Sequence, residues 1–411
     1  MNLNEAINWL ETRPRFKDKV SLDKMILATK KLGNPQDHFK SIHITGTNGK
    51  GSVAHYLSSV LAHQYKVGLF ISPYIIKFNE RIQINNDMID DETLLNQIVF
   101  IKDFSEAFYE ETNEHLTFFE LLTLMAFKYF REEKVDYAII EVGIGGALDA
   151  TNVITPILSI ITTVGLDHQK QLGNTLESIL LNKLGIVKEG VPLITGVLGF
   201  NELIDAYLGK LNSKVYYLDT SKIKLIKPFP LEFKFEYHTY KPSLQGLYQM
   251  ENISLSVMAL NLLFPKMPVQ MIKDGIKEAT NPARFEIIEE NPTIILDGAH
   301  NKEAINNLDV SLKTIFKDKK IKVLFACMQD KPFNEMLASL SEITNDITLT
   351  TIDYHRALDI NSEELLFDLP RIKDPIEAFN KIYNLLDKDD VLVITGSLYF
   401  ASFMRNYLIK R

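Results

Sequence analysis

The chain has 411 residues, a formal net charge of -8 at pH 7 and a hydrophobic fraction of 46%. This length predicts two or three domains, and the acidic balance argues against a protein that scaffolds nucleic acid. The single cysteine, Cys327, excludes a disulfide framework and a cysteine-based zinc site. The N-terminal residues lack a signal-peptide pattern, and no apolar run reaches the roughly 18 residues that a membrane span needs. We therefore expect a cytoplasmic enzyme that binds neither nucleic acid nor membranes.

Apolar runs alternate with helical patterns through the first 290 residues. Thr117 and Glu120 have the spacing of a capping box, which predicts the start of a long helix. Continuous apolar strands that alternate with helices are typical of a parallel sheet covered on both faces. We therefore predict an α/β fold with a mainly parallel, doubly wound sheet. The predicted elements are helices at 4–10 and 21–32, a strand at 41–44, a helix at 53–61, a strand at 67–71, a helix from 117, strands at 137–142 and 157–162, short antiparallel strands within 214–240, and a helix at 249–263.

The sequence TGTNGKGS at 45–52 lies between a predicted strand and a predicted helix. A glycine-rich turn in that place directs several backbone N–H groups at one spot, at the positive end of the helix dipole. Lys50 can reach terminal phosphates, and the Ser52 hydroxyl can ligate magnesium. The alternative is a surface turn that happens to contain glycine and lysine. The strand before it and the helix after it favour a phosphate-binding loop.

Three ionisable residues follow this loop in the chain. Glu141 ends an apolar strand beside glycines, where a carboxylate suits magnesium; the alternative is a residue that only caps the next turn. His168 follows the next strand and could join a metal shell or bind phosphate, although a lone histidine is more often structural. Lys183 lies in a mostly apolar helical stretch, where an amine readily loses its proton and becomes nucleophilic. The alternative is a lysine whose amine reaches solvent.

Ser72 ends the second predicted strand, and its hydroxyl could complete a metal shell or line a substrate channel. The loop that follows contains Phe78, Glu80 and Arg81, which we assign to the substrate site.

The pattern resets near 289–292, and a second α/β segment of about 120 residues follows, a reasonable length for a domain. We therefore predict two domains, residues 1–290 and 291–411. Two strand ends in the second domain carry polar turns, DGAHN at 297–301 and TGSL at 395–398. The predicted elements there are strands at 293–296, 322–326, 347–352 and 391–395, a helix at 302–316, and further helices between the later strands.

The order of these motifs resembles one family, folylpolyglutamate synthase, which includes the bifunctional bacterial enzyme that is also a dihydrofolate synthase. The resemblance covers essentially the whole chain, and the wider Mur ligase superfamily shares the phosphate loop, the glutamate, the histidine and the lysine. It implies a P-loop central domain with a smaller C-terminal α/β domain. It also implies an ATP-dependent ligase that adds L-glutamate to a folate through an acyl phosphate. The motifs are TGTNGKGS (45–52), SPYIIKFNERI (72–82), TFFELLT (117–123), EVGIGGALDATN (141–152), DH (167–168), LG (172–173), KLGI (183–186), ARFE (283–286), DGAHN (297–301), DK (330–331) and TGSLY (395–399).

The resemblance also implies a set of site residues. The implied cofactors are ATP, Mg2+ and a carbamate that Lys183 forms with carbon dioxide, and the implied state is a monomer. The nucleotide site would comprise Gly46, Thr47, Asn48, Gly49, Lys50, Gly51, Ser52, Asn252, Arg284 and Asp297; the metal site Ser52, Ser72, Glu141, His168 and Lys183; the catalytic set Lys50, His168, Lys183, Arg284 and His300; and Ser397 would receive the incoming glutamate.

Several positions depart from the usual pattern of this family. Ala147 stands where an arginine is common, Asn182 and Leu184 replace a glutamate and an alanine beside the lysine, and Tyr248 replaces a histidine. Asn281 and Ala283 also differ from the usual tryptophan and glycine. Three hypotheses stay open: a folate ligase, a relative that acts on another pterin or carboxylate acceptor, and a paralogue that binds without turnover. The choice between dihydropteroate and tetrahydrofolate as acceptor also stays open.

Overall fold

The computed structural model describes residues 1–14 and 21–411. These residues form two compact units. The first unit contains Met1–Ser221 and Glu251–Ala279, and the second contains Lys222–Met250 and Thr280–Arg411. The chain therefore passes from one unit to the other three times. Among the described helices, none has the length and apolar character to cross a membrane.

The first unit is built around a sheet that, in the described residues, has eight strands in the order β4-β3-β2-β5-β1-β6-β7-β8. All neighbours from β2 to β8 pair in parallel, and β3 and β4 add an antiparallel hairpin at one edge. The elements are α1 (Leu3–Glu11), α2 (Asp23–Lys31), β1 (Lys40–Thr45), α3 (Lys50–Leu61), β2 (Val67–Phe70), β3 (Ile82–Ile84), β4 (Asp87–Met88), α4 (Asp91–Thr112), α5 (Phe118–Glu132), β5 (Tyr137–Glu141), β6 (Leu158–Ile161), α6 (Gln169–Leu172), α7 (Leu176–Leu184), β7 (Leu193–Thr195), α8 (Asn201–Gly209) and β8 (Val215–Tyr217). Two further helices follow the 222–250 segment, α9 (Gln249–Leu263) and α10 (Val269–Glu278).

The central strands of this sheet are apolar because helices cover them. Ala138 and Ile140 of β5 pack in one buried cluster with α1, α4 and α5. Val142 and Ile161 belong to a second cluster with α7 and α8. The capping box predicted at Thr117 is present and starts α5. The predicted α/β fold with a mainly parallel sheet is confirmed.

The second unit contains two separate sheets. Residues 222–250 supply an antiparallel sheet of β9 (Ile223–Lys227), β10 (Glu232–Phe235) and β11 (His238–Tyr240). The other sheet has the order β12-β13-β16-β14-β15, and all its pairs are parallel except β12 with β13. Its elements are β12 (Glu286–Glu290), β13 (Thr293–Leu296), α11 (Lys302–Ile315), β14 (Ile321–Phe325), α12 (Phe333–Ser341), β15 (Ile347–Leu349), α13 (Pro375–Tyr383), β16 (Val391–Thr395) and α14 (Leu398–Lys410). Helices α11 and α12 pack in one cluster with the sheet, and α13 and α14 pack in another.

The observed units divide the chain differently from the predicted domains 1–290 and 291–411. Strand β12 ends at the predicted boundary, yet it pairs with β13, so the second unit starts before that boundary. The antiparallel patch predicted for residues 214–240 is wrong at its start. β8 pairs in parallel with β7 in the large sheet, and only the residues from Ile223 form the small sheet.

Candidate active site

The phosphate-binding loop connects β1 to α3 as predicted. Gly49 is the N-cap of α3 and has φ of 87°, in the left-handed region that favours glycine. A Cβ atom on Gly49 would lie 2.4 Å from Oδ1 of Asn252, so this side chain of α9 lies directly against the loop. The fold thereby brings Asn252 to the predicted nucleotide site from about 200 residues away in the chain.

Two threonines that follow β6, Thr162 and Thr163, hold this loop through hydrogen bonds. The N–H groups of Thr47 and Asn48 donate to the carbonyl and the hydroxyl of Thr163, each at 2.9 Å. The Thr162 hydroxyl donates to the Asn48 carbonyl at 2.5 Å. A Cβ atom on Gly46 would lie 1.8 Å from that same hydroxyl oxygen, which only a glycine permits. This threonine pair was not among the predicted site residues, although its place at a strand end was a usable signal in the sequence.

Lys50 and Ser52 lie in the first turn of α3. The Lys50 ammonium donates to the carbonyl oxygens of Gly46 at 2.9 Å and of Thr47 at 3.2 Å, so it lies over its own loop. Ser52 is 3% exposed. A loop that combines these groups with N–H groups at a helix start is a site for phosphate oxygens.

Two predicted metal residues meet at the ends of adjacent strands. β2 and β5 are parallel neighbours, so their carboxyl ends lie at one edge of the sheet. Glu141 ends β5 and is 4% exposed, and its Oε2 accepts a hydrogen bond from the Ser72 N–H at 3.1 Å. This places a buried carboxylate oxygen beside the Ser72 backbone.

The helix that carries Lys183 is joined to the loop that follows Glu141. The Asn152 side-chain amide donates to the carbonyl oxygens of Ala147 and Gly185, both at 2.9 Å. The Ala147 N–H donates to the Asn182 carbonyl at 2.8 Å. We call Asn152 with these carbonyl groups the Asn152 clamp. Lys183 itself is 3% exposed, so its side chain is buried, which is the first of the two alternatives that the sequence left open.

The structural setting of two departures from the family pattern is visible here. A Cβ atom on Gly145 would lie 2.4 Å from Oδ1 of Asn182, and one on Gly185 would lie 2.5 Å from the Ala147 Cβ. The small side chain of Ala147 therefore lies tightly against the end of α7.

A buried chain of polar side chains, none of them among the predicted site residues, connects His43, Thr151 and Asp149. His43 Nε2 is 2.8 Å from the Thr151 hydroxyl, which donates to Asp149 at 2.6 Å. The other Asp149 oxygen accepts from the Ile144 N–H at 3.0 Å. Burial, with a smaller effect of Lys188, lowers the pKa of His43 to about 3. His43 is therefore neutral at physiological pH and serves as a hydrogen-bonding group.

His168 lies at the start of α6 with φ of 52°, and its side chain is 39% exposed. The backbone N–H of His168 donates to Asp167 Oδ1 at 2.8 Å. Among the described residues, no group of three or more His, Cys, Asp or Glu side chains is arranged to hold a metal ion. The predicted metal residues thus offer two hydroxyls, one carboxylate, one imidazole and one amine, and they do not form a cluster of His, Cys, Asp or Glu side chains.

The predicted substrate loop is tightly structured. Glu80 is 4% exposed, and its carboxylate accepts from the N–H groups of Ile75 at 2.6 Å and Ile76 at 2.8 Å. The Arg81 guanidinium lies 5.0 Å from the ring centre of Tyr74 and 5.4 Å from that of Phe78. In this structure Glu80 holds the loop together, and the aromatic rings surround the cation of Arg81.

In the second unit, the predicted residues gather at the ends of β13 and β16. Asp297 follows β13 and is 3% exposed, and His300 Nδ1 lies 2.9 Å from the Gly298 carbonyl oxygen. A Cβ atom on Gly298 would lie 3.0 Å from Nη1 of Arg284. Ser397 follows β16, is 2% exposed and caps α14 by accepting from the Tyr399 N–H at 3.1 Å.

Comparisons with known proteins identify the family of this chain. The family model of the Mur ligase middle domain matches residues 44–260, and that of the Mur ligase glutamate ligase domain matches residues 283–398. The chain belongs to the Mur ligase family. Dihydrofolate synthase/folylpolyglutamate synthase of Bacillus subtilis is 34% identical and covers 98% of this chain and 98% of that protein. Folylpolyglutamate synthase of Lacticaseibacillus casei is 35% identical and covers 100% of this chain and 99% of that protein.

A solved complex of FPGS with AMPPCP and folate is 31% identical, has a TM-score of 0.85 and covers 100% of both chains. The resemblance to folylpolyglutamate synthase, the fold class and the assignment as an ATP-dependent ligase are confirmed. The individual roles predicted for the site residues stay predictions.

Proposed function

We propose that this Mur ligase joins L-glutamate to a folate, using ATP and releasing ADP and phosphate. The observation that carries the proposal is the loop Gly46–Ser52, which opens α3 and packs against Asn252. Such a loop binds phosphate oxygens through its N–H groups. The solved FPGS complex with AMPPCP and folate supports a nucleotide and a folate as substrates, and the relative from Lacticaseibacillus casei supports polyglutamylation.

In the proposed reaction, a folate carboxylate oxygen attacks the γ-phosphorus of ATP. ADP leaves, and an acyl phosphate remains. The neutral amine of glutamate then attacks the acyl carbon, the tetrahedral intermediate expels phosphate, and the new amide nitrogen loses a proton. Negative charge develops on phosphate oxygens in the first step, so preorganised donors lower its barrier. We propose that N–H groups of the Gly46–Ser52 loop and the ammonium of Lys50 act as such donors, whereas the N–H groups of Thr47 and Asn48 bond to Thr163 and fix the loop.

The predicted metal residues fit Mg2+, because the buried Ser52 and Glu141 offer oxygen ligands to a hard cation. We propose that Ser52, Ser72 and Glu141 hold one Mg2+ together with ATP phosphate oxygens. Bound Mg2+ would offset the charge of the phosphates. We further propose that Glu141, His168 and a carbamate on Lys183 hold or order a second ion. Phosphate and carbamate oxygens would supply further ligands to the two ions, because Glu141 is the one carboxylate among the proposed metal residues.

We propose that Arg284, Asp297 and His300 act on the nucleotide or the acyl phosphate, and that Ser397 receives the incoming glutamate. The grouping of these residues at the ends of β13 and β16 supports the proposal, because ligands of parallel sheets bind at carboxyl ends.

The test measures ADP release and the mass of the folate product in mixtures that lack one component at a time. We expect ADP release that requires a folate acceptor, glutamate and magnesium together, with one glutamate added for each ADP. ATP binding without turnover would instead indicate a binding protein. Turnover with other carboxylates alone would indicate a ligase of altered specificity. Dihydropteroate and tetrahydrofolate assayed side by side would distinguish a dihydrofolate synthase from a polyglutamate synthase.

A further inference from the structure

Asp297 is held by three donors within the second unit. Its Oδ2 accepts from the Tyr248 hydroxyl at 2.8 Å and from the Phe285 N–H at 2.9 Å. Its Oδ1 accepts from the Ala299 N–H at 2.8 Å. A carboxyl group that accepts hydrogen bonds through both oxygens is stabilised in its ionised form. The donors thus compensate for the removal of a charge from water.

Two of those three donors are backbone groups, and only Tyr248 is a side chain that a mutation can remove. The Tyr248 ring is part of the apolar packing of α11, α12 and the sheet of the second unit. A Cβ atom on Gly246 would lie 2.6 Å from Cε1 of this ring, so the absence of a side chain at Gly246 leaves space for the ring. The ring is therefore fixed by packing, and the packing aims its hydroxyl at Asp297.

The backbone on the other side of Asp297 is also held in an unusual conformation. Ala283 has φ of 55° and Phe285 has φ of 48°, so both residues that flank Arg284 lie in the left-handed region. The Gly298 N–H donates to the Ala283 carbonyl at 2.8 Å. Non-glycine residues persist in that region only where surrounding contacts fix them, and such strain concentrates at functional sites. Asp297 takes part in those contacts through the Phe285 N–H.

We propose that Tyr248, which stands where the resembled family has a histidine, is a positioning residue that orients the Asp297 carboxylate and keeps it ionised for the ligase reaction. The proposal rests on the proposed function. Tyr248 acts through Asp297 and is not assigned to the reacting atoms.

The charges that face Asp297 give the proposal a pH signature. Burial raises the pKa of Asp297, whereas the Arg284 guanidinium, the Tyr248 hydroxyl and the N–H groups of Ala299 and Phe285 lower it, and the net shift is upward. Removal of the hydroxyl takes away one stabilising contact of the charged form. The pKa of Asp297 then rises further, so the Asp297 carboxyl is protonated in a larger fraction of the enzyme molecules at acidic pH.

The experiment compares Tyr248→Phe with wild type between about pH 5 and 9, with kcat/KM for the folate acceptor as the readout. We expect the acidic limb to move by about one pH unit to higher pH, the effect of losing one hydrogen bond to a charged group. The loss is then about tenfold at the acidic end and disappears on the alkaline side. Tyr383→Phe is the matched control, because it removes a hydroxyl that donates to Glu289 at 2.7 Å elsewhere in the same unit. Its acidic limb is expected to stay at the wild-type pH.

A second variant keeps the test decisive if Tyr248→Phe does not fold. Incorporation of 3-fluorotyrosine at position 248 preserves the packing and makes the phenol a stronger donor, so the acidic limb should move to lower pH. An unmoved limb in the folded variants, or a loss that is equal at every pH, overturns the positioning role. Wild-type enzyme without folate-dependent and glutamate-dependent ADP release would instead contradict the proposed function, so the two failures are distinguishable.

Discussion

Gly49 combines two constraints at one residue. Its φ of 87° disfavours any side chain, and a Cβ atom there would also meet Asn252 at 2.4 Å. Gly190 has φ of 72°, but a Cβ atom on it meets nothing within 4 Å. The two glycines therefore share the backbone strain and differ in the steric contact.

We predict that Gly49→Ala weakens binding of a non-hydrolysable ATP analogue by about tenfold or more, because the loop must shift from Asn252. Gly190→Ala should cost only about 1 kcal/mol of stability and leave nucleotide affinity unchanged. Calorimetric titration of the analogue, with thermal unfolding of both variants, measures the difference. Equal affinities in the two variants would mean that the contact with Asn252 does not shape the loop.

Lys183 is buried in α7, where the proposed carbamate would form. We predict that Lys183→Ala loses most ligase activity while the protein stays folded, and that added short carboxylates restore part of it by replacing the proposed carbamate. Wild-type enzyme in 13C-bicarbonate should give a carbamate signal in carbon NMR that Lys183→Ala lacks. Lys170→Ala, at an exposed position on α6, is the control and should keep both signal and activity. Full activity of Lys183→Ala would exclude a catalytic carbamate.

His43 makes stability depend on pH. Its pKa is about 3 in the folded chain, whereas an ordinary histidine side chain has a pKa of 6.5, so the unfolded state binds more protons between these values. The free energy of unfolding should therefore fall as pH drops below 6.5, by roughly 1.4 kcal/mol per pH unit from this residue. His43→Gln should lower the number of protons taken up on unfolding by about one and so reduce that slope, whereas His38→Gln, at an exposed position, should leave the slope unchanged. Urea unfolding at several pH values measures the slopes, and equal slopes in both variants would contradict the buried neutral state.

The Asn152 clamp joins the loop after β5 to the end of α7. One amide group satisfies two carbonyl oxygens, and Asn152 is 4% exposed. The position of Lys183 therefore depends on a residue that lies about 30 positions earlier in the chain. Such a connection fixes a site on a helix with the precision that chemistry needs.

We predict that Asn152→Asp destabilises the protein by about 3 kcal/mol or more, because a carboxylate would face two carbonyl oxygens in a buried place. Asn152→Ala should cost about 1–3 kcal/mol, the price of two unpaired carbonyl groups. Asn201→Asp, in the first turn of α8 and exposed, is the control and should be neutral or slightly stabilising. Denaturant unfolding measures the free energy of unfolding of the three variants. An unchanged value for Asn152→Asp would show that the Asn152 clamp does not stabilise the protein.

The sequence predicted the elements that have strong local signals. The strand, glycine-rich turn and helix around Lys50 were identifiable because glycine spacing and apolar runs are local, and Thr117 because a capping box spans four residues. The 22-residue helix α4 (Asp91–Thr112) was missed, and its buried residues are few for its length. Contacts such as that of Tyr248 with Asp297, 49 positions apart, depend on the tertiary fold and leave no periodic pattern.

Each of the two units is assembled from two stretches of chain. A fragment of residues 1–290 carries β12 without β13, and it also carries the small sheet of the second unit. A fragment of residues 291–411 lacks that small sheet and leaves the ladder edge of β13 uncovered. Unpaired sheet edges promote aggregation.

We predict that neither fragment, 1–290 or 291–411, gives a monomeric folded protein with the stability of its unit in the full chain. Circular dichroism, size-exclusion chromatography and amide hydrogen exchange of the two fragments provide the comparison. Mixing the fragments should restore protection only if each supplies what the other lacks. A cooperatively folded, monomeric 291–411 fragment would support the domain boundary predicted from sequence.

The three passages between the units also set an order for folding during synthesis. The first unit is complete once residue 279 has left the ribosome, whereas the second still lacks everything from Thr280 onward. Domains commonly fold in the order in which they emerge. Residues 222–250 are thus translated before the strands and helices that complete their unit, and they must wait through the synthesis of α9 and α10. A translational pause after that segment would lengthen the wait and expose an incomplete sheet, whereas rapid translation of the last third of the chain would shorten it.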